Sequence, residues 1–161
     1  MRTDLKKEAR QIFEAGLRAV DPNEAVKRFL IREGNTLVLG EQKLDLEDFE
    51  GIWAIGAGKA SAAMAQAVEE VLGDRLSGGL VIVKYDHLAP LRKIRLVEAG
   101  HPTPDENGWR GTQELVRLVE NLGRLDLVLF LLSGGGSALL PMPVEGITLA
   151  EKMAATNLLL K

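Results

Sequence analysis

One lysine, one histidine and two serine hydroxyls stand in or beside three glycine-bearing turns of this chain. The turns are Gly56-Ala57-Gly58-Lys59, Gly100-His101-Pro102-Thr103-Pro104 and Ser133-Gly134-Gly135-Gly136-Ser137. Glycines let a backbone approach a ligand closely, and unpaired amides in such turns form a concave set of donors suited to phosphate or another small anion. Lys59 adds a full positive charge. In the first turn of a helix a lysine opposes the dipole by about 0.3 to 1 kcal/mol, so local stability does not account for it. The plain alternative is a strand-to-helix turn followed by a solvated lysine.

The triple-glycine turn reads as a nest of N–H donors flanked by Ser133 and Ser137, fit for a polyphosphate or a carboxylate. His101 either points into the same crevice, to donate to an anion or move a proton, or fixes its own turn. Asp105 reads as a helix cap and His87 as a surface residue in a polar loop. Better-known patterns fail here. Gly51 and Gly56 have the Walker spacing, but Ala57-Gly58 follows where Lys-Ser/Thr is required. The dinucleotide fingerprint has Ser61 in its last place, and its acidic partner, Asp86, comes late. Gly135-Gly136-Ser137-Ala138-Leu139 lacks the closing glycine of a hydrolase elbow, and no metal-ligand spacing is visible.

Each turn follows an apolar, strand-like run, and that placement decides whether the turns can cooperate. Ile52 onward, Gly79 to Val83, Ile94 to Val97 and Leu127 to Leu132 read as strands; Ala60 to Leu72 and Asn107 to Leu122 read as helices. Such alternation predicts βαβ units in a mainly parallel sheet, whose carboxyl edge is where open α/β sheets bind ligands. The unbroken run Leu127-Val128-Leu129-Phe130-Leu131-Leu132 is expected mid-sheet, covered on both faces.

Ahead of this core, Leu5, Ala9, Ile12, Phe13, Leu17 and Val20 fall at helical spacing and predict a helix with one buried stripe. Asp21 and Pro22 open a second helix, which Glu33-Gly34-Asn35 ends. Residues 36–39 and 43–46 bracket Gly40-Glu41-Gln42 as a peripheral hairpin. At the other end, Thr148 and Glu151 have capping-box spacing, and the helix they open runs on through Leu158-Leu159-Leu160 without a stop signal. That pattern is expected of the amino-terminal α/β domain, residues 1–161, of a longer two-domain protein. Exposed leucines at its end would promote self-association.

With 161 residues the chain suits one domain. Its 46% hydrophobic and 27% charged content is that of a globular protein, and a net charge of −3 offers no general attraction to nucleic acid or acidic membranes. Any anion site must therefore be local. The chain has no cysteine, so thiolate chemistry is excluded; with a charged start and no long apolar stretch, this fits a cytoplasmic protein that neither enters nor binds a membrane.

The motifs Gly56-Ala57-Gly58-Lys59-Ala60, Gly100-His101-Pro102-Thr103-Pro104-Asp105 and Leu132-Ser133-Gly134-Gly135-Gly136-Ser137-Ala138-Leu139, with Gly146-Ile147-Thr148-Leu149 and Thr156-Asn157-Leu158-Leu159, recur here in one order. In that order and spacing the chain, from about Leu5 onward, resembles the amino-terminal part of the glycerate 2-kinases whose second domain carries the MOFRL signature. The resemblance implies a three-layer Rossmann-like fold with helices on both faces of the sheet. It also implies transfer of the ATP γ-phosphoryl group to the 2-hydroxyl of D-glycerate, with Mg²⁺, in a cleft between two domains. By motif match, Lys59 would be the catalytic or anion-binding lysine. Gly56, Gly58, His101, Ser133, Gly134, Gly135, Gly136 and Ser137 would bind substrate or nucleotide. The second domain is missing from this chain, so the part alone is expected to fold without turning over. Members of the family are also labelled hydroxypyruvate reductases, which leaves an NAD(P)-dependent reductase, and a non-catalytic anion-binding module, as alternatives.

Overall fold

The computed structural model describes residues 4–161, so Met1, Arg2 and Thr3 of the charged opening lie outside the described residues. In chain order the elements are α1 (Leu5–Ala19), α2 (Pro22–Phe29), β1 (Leu30–Glu33), β2 (Thr36–Leu39), β3 (Gln42–Asp45), β4 (Gly51–Ala57) and α3 (Ser61–Leu72). There follow β5 (Gly78–Lys84), β6 (Ile94–Ala99), α4 (Glu106–Glu120), β7 (Asp126–Leu132), α5 (Gly136–Leu139) and α6 (Leu149–Leu159).

The main sheet is four parallel strands in the order β6-β5-β4-β7. Because side chains alternate across a strand, its two faces carry separate cores. Ile52 and Ala54 of β4, Val81 and Val83 of β5 and Leu131 of β7 pack under α3. Ile55 and Ala57, with Leu80 and Ile82, pack on the other face against Leu115 of α4 and Leu139 of α5. Helices on both faces make the three layers that the alternation predicts. Burying each such Val, Leu or Ile stabilises the fold by about 1.5 to 3 kcal/mol. Small residues let α3 lie close to the sheet: Ala62, Ala65, Val68 and Leu72 share its buried face, and Gly73, at φ +54°, ends it.

Three expectations need correction. The run Leu127 to Leu132 is not mid-sheet: β7 pairs only with β4, and Phe130 and Leu132 are 50% and 60% exposed on a face that the described residues leave open. Helix α1 has its apolar stripe but buries none of it; Leu5, Ile12, Phe13, Leu17 and Val20 all face outward. Glu33-Gly34-Asn35 does more than break a helix. It turns β1 back onto β2, so the hairpin becomes a three-stranded antiparallel sheet in the order β1-β2-β3. Between β5 and β6, where the sequence offers no helix, residues 85–93 form a loop, tied down where Glu69 of α3 accepts hydrogen bonds from the amides of Arg92, Lys93 and Ile94.

Local signals elsewhere hold. Asp21 caps α2 by accepting from Glu24 N at 3.0 Å, with Pro22 in its first position. Thr148 and Glu151 form the capping box of α6.

Candidate functional site

All strands of the main sheet are parallel, so the turns after β4, β6 and β7 leave from one edge. Register makes two of them direct neighbours, since Ala57 at the end of β4 lies opposite Leu132 at the end of β7. Beyond that pair, Ser133 N donates to Ala57 O at 3.2 Å and Lys59 N donates to Gly134 O at 3.0 Å. The first and third glycine turns are thus laced together.

Serine hydroxyls complete the lacing. Ser61 Oγ, buried, donates to Leu131 O at 3.1 Å, which leaves it an acceptor for Ser133 Oγ at 3.0 Å. Ser133 Oγ in turn accepts from Ala60 N at 3.0 Å. Helix α3 has no capping side chain of its own, so Ser133 supplies the cap from the end of β7. Its proton and one of its lone pairs are thus engaged in structure. Gly56 and Gly58 are likewise turned to packing: a side chain at Gly56 would strike Leu131 O, and one at Gly58 would strike Ser133 Oγ. The close approach those two glycines permit is to β7.

Gly134 and Gly135 face the other way. The aliphatic stem of Lys59 crosses them, with Cε 3.7 Å from where a Cβ of Gly134 would stand and Cγ 3.5 Å from that of Gly135. His101 closes the same hollow, its ring edge against Gly135. Burial, and then the charges of Lys59 and Lys84, hold the His101 imidazole below its ordinary pKa, so it is neutral at neutral pH. Gly135 adopts φ +95° and opens the short helix α5. Among the described residues no acceptor takes the amides of Gly134, Gly135, Gly136 or Ser137. The Lys59 stem and the His101 ring edge therefore meet over Gly134 and Gly135, in a turn whose amides have no internal acceptor, a set of groups suited to an anion.

The second turn is anchored from two sides. Asp105 caps α4 through Gly108 N at 2.9 Å and accepts from Tyr85 Oη at 2.7 Å, while Asn107 Nδ2 donates to Tyr85 Oη at 2.8 Å. Thr103 Oγ1 donates to Asn157 Oδ1 of α6 at 2.7 Å. Tyr85 and Asn107 carry no local signal for their contact, because they lie 22 residues apart, and Asn157 is legible only as part of the motif Thr156-Asn157-Leu158-Leu159. His87 lies in the turn after β5, half-buried at the surface, and lines a cavity with Lys59. A separate apolar groove of about 520 Å³, between α2, α3 and β7, has no charged lining and touches this region only through Ala60 and Ser133. Among the described residues no three His, Asp or Glu side chains cluster as a metal cage.

The family described as "Domain of unknown function (DUF4147)" matches residues 8–161. A D-glycerate 2-kinase of Thermotoga maritima is 41% identical over 158 residues, covering 98% of this chain and 34% of the relative. A putative hydroxypyruvate reductase of Agrobacterium vitis is 47% identical over 106 residues, covering 66% of this chain and 28% of its own length. The crystal structure of a protein from Pyrococcus horikoshii superposes with a TM-score of 0.85 at 31% identity, covering 99% of this chain and 36% of that one. The chain thus spans about a third of the length of the relatives it matches. The resemblance drawn from the motifs, and the fold class it implied, are borne out.

Proposed function

Because the chain belongs to the DUF4147 family, we propose that it is the amino-terminal α/β domain of a two-domain glycerate 2-kinase. The reaction is transfer of the ATP γ-phosphoryl group to the 2-hydroxyl of D-glycerate, giving 2-phosphoglycerate and ADP. The observation that carries this reading is the hollow where the Lys59 stem crosses Gly134 and Gly135 beside His101.

Phosphoryl transfer depends mainly on positioning and on offsetting negative charge. In this reading the free amides from Gly134 to Ser137 hold phosphate oxygens, and the Lys59 ammonium balances the charge that develops on the transferred group. His101, kept neutral, donates or accepts a hydrogen bond without adding charge. Ser133, Gly56 and Gly58 shape the hollow from behind. Mg²⁺ in such reactions is held largely by the nucleotide phosphates and one or two carboxylates, with no dedicated protein cage. The described residues offer no such cage. The remaining charge-offsetting groups belong to the proposed second domain, so this chain alone binds without turnover. No helix of the described residues is long and apolar enough to cross a membrane, in keeping with a cytoplasmic enzyme. Leu158, Leu159 and Leu160, at 69%, 88% and 56% exposed, are the surface through which the isolated chain would self-associate.

The relative named as a putative hydroxypyruvate reductase supports a second reading, an NAD(P)-dependent reductase. Against it, a pyrophosphate needs close approach to the glycines of the first turn, and here Gly56 and Gly58 abut β7. Coupled assays of the two-domain protein decide between them. ADP release dependent on D-glycerate is expected; NADH or NADPH consumption with hydroxypyruvate, and no ADP release, would replace the kinase with the reductase. Binding of ATP or phosphate with neither activity would leave an anion-binding module.

A further inference from the structure

Lys59 faces a second space besides the glycine hollow. A cavity of about 350 Å³ lies between the start of α3 and the segment after β5, lined by Lys59, Gln66, Asp86, His87 and their apolar neighbours. The backbone there is held in an uncommon shape. Asp86 has φ +65°, the one non-glycine residue with positive φ among the described residues, and its amide donates to Glu98 Oε1 at 2.7 Å. His87 N donates to Lys84 O at 3.0 Å, which closes the turn. Backbone held in a sparsely populated region at a cleft is a frequent mark of a working site.

The imidazole of His87 is oriented too. Its Nδ1 lies 3.0 Å from the backbone carbonyl of Tyr85, and a carbonyl only accepts, so the proton sits on Nδ1. In the neutral ring Nε2 then carries a lone pair. The charged or titratable groups around it are Lys59 from the first turn, Lys84 at the end of β5, its neighbour Asp86, Glu98 of β6 and His101 of the second turn. Phosphoryl transfer to an alcohol needs a group to take the hydroxyl proton; of the two histidines, His101 is packed against Gly135 in the anion hollow, while His87 lines the neighbouring cavity with an oriented ring.

We infer that His87 is the proton acceptor of the reaction, its Nε2 facing the acceptor alcohol in the cavity it shares with Lys59. This rests on the kinase reading. As the alcohol O–H bond breaks, its proton passes to Nε2. The alkoxide oxygen bonds to the γ-phosphorus, and the bond from that phosphorus to the bridging oxygen breaks, releasing ADP. The imidazolium then returns its proton to solvent. Lys59, common to both spaces, brings the phosphoryl group and the alcohol together.

The test is made in the two-domain enzyme with D-glycerate and ATP. His87→Ala is expected to lower kcat by about 10² to 10⁴-fold with KM for ATP unchanged, and added imidazole is expected to restore at least part of the loss. His87→Gln, whose amide can still donate to Tyr85 O, should lose as much, which separates proton transfer from folding of the loop. A kcat within about threefold of wild type in both variants, or a loss that imidazole leaves untouched, overturns the assignment while the kinase stands. A wild-type enzyme that phosphorylates no glycerate overturns the kinase reading and this inference with it.

Discussion

The ring of His101 rests edge-on against Gly135. A methyl group at Gly135 would stand 2.6 Å from both Cδ2 and Nε2 of the imidazole, and the residue's φ of +95° is one that side chains rarely tolerate. The pair joins the turn after β6 to the turn after β7, so it sets the width of the hollow under Lys59.

Gly135→Ala should therefore act twice. Backbone strain and the clash together are expected to lower stability by about 1 to 3 kcal/mol, measured by urea unfolding. The ring must also move, so the His101 NMR signals should shift well beyond those of His87. An unshifted His101 would mean that the contact does not constrain the ring.

Lys59→Ala separates function from stability. The lysine is exposed and precedes the positive end of α3, so its loss should leave stability unchanged or raise it by a few tenths of a kcal/mol. With its charge gone, the pKa of His101 should rise toward the ordinary histidine value, read by NMR titration. Glycerate phosphorylation by the two-domain enzyme should fall at least about 10²-fold. Retained activity would remove Lys59 from the mechanism.

Ser133→Ala leaves the Ala60 amide without its acceptor and the Ser61 hydroxyl without its donor partner. The expected cost is about 1 to 3 kcal/mol by urea unfolding. Hydrogen exchange at the start of α3 should quicken more than at its end. A uniform change along the helix would argue against the cap.

Glu69 gives the crossover between β5 and β6 an acid-sensitive tether. Burial works against its ionised form, but the amides of Ile94, Arg92 and Lys93 outweigh that and hold its pKa below the usual glutamate value. A depressed carboxyl contributes stability that is present above its unfolded pKa of about 4.3 and lost as pH falls through the folded value. Glu69→Gln should lower stability at pH 7 and flatten its decline in that acid window. Unfolding curves between about pH 7 and pH 2 check both.

How much of this was legible in the sequence follows from the range over which each signal acts. The caps of α2 and α6, the glycine turns and the strand-helix alternation are written within a few residues, and all are where their local chemistry puts them. The apolar runs of α1 and β7 were legible as elements but not in their burial, because hydrophobicity says that a surface seeks cover and not what covers it. In this chain Phe13 and Phe130 remain exposed.

Local sequence alone determined most of the elements, β1 excepted, and the kind of ligand chemistry the turns offer, since backbone propensity, periodicity and side-chain type are properties of short segments. The tertiary structure alone decided which groups face that chemistry. Parallel pairing brought Ser133 onto Ala60, 73 residues away, and turned Gly56 and Gly58 toward β7. The same pairing left Gly134 and Gly135 to meet Lys59 and His101. Such partners are chosen by register and crossover, which depend on the packing of the whole sheet and leave no trace in the residues next door.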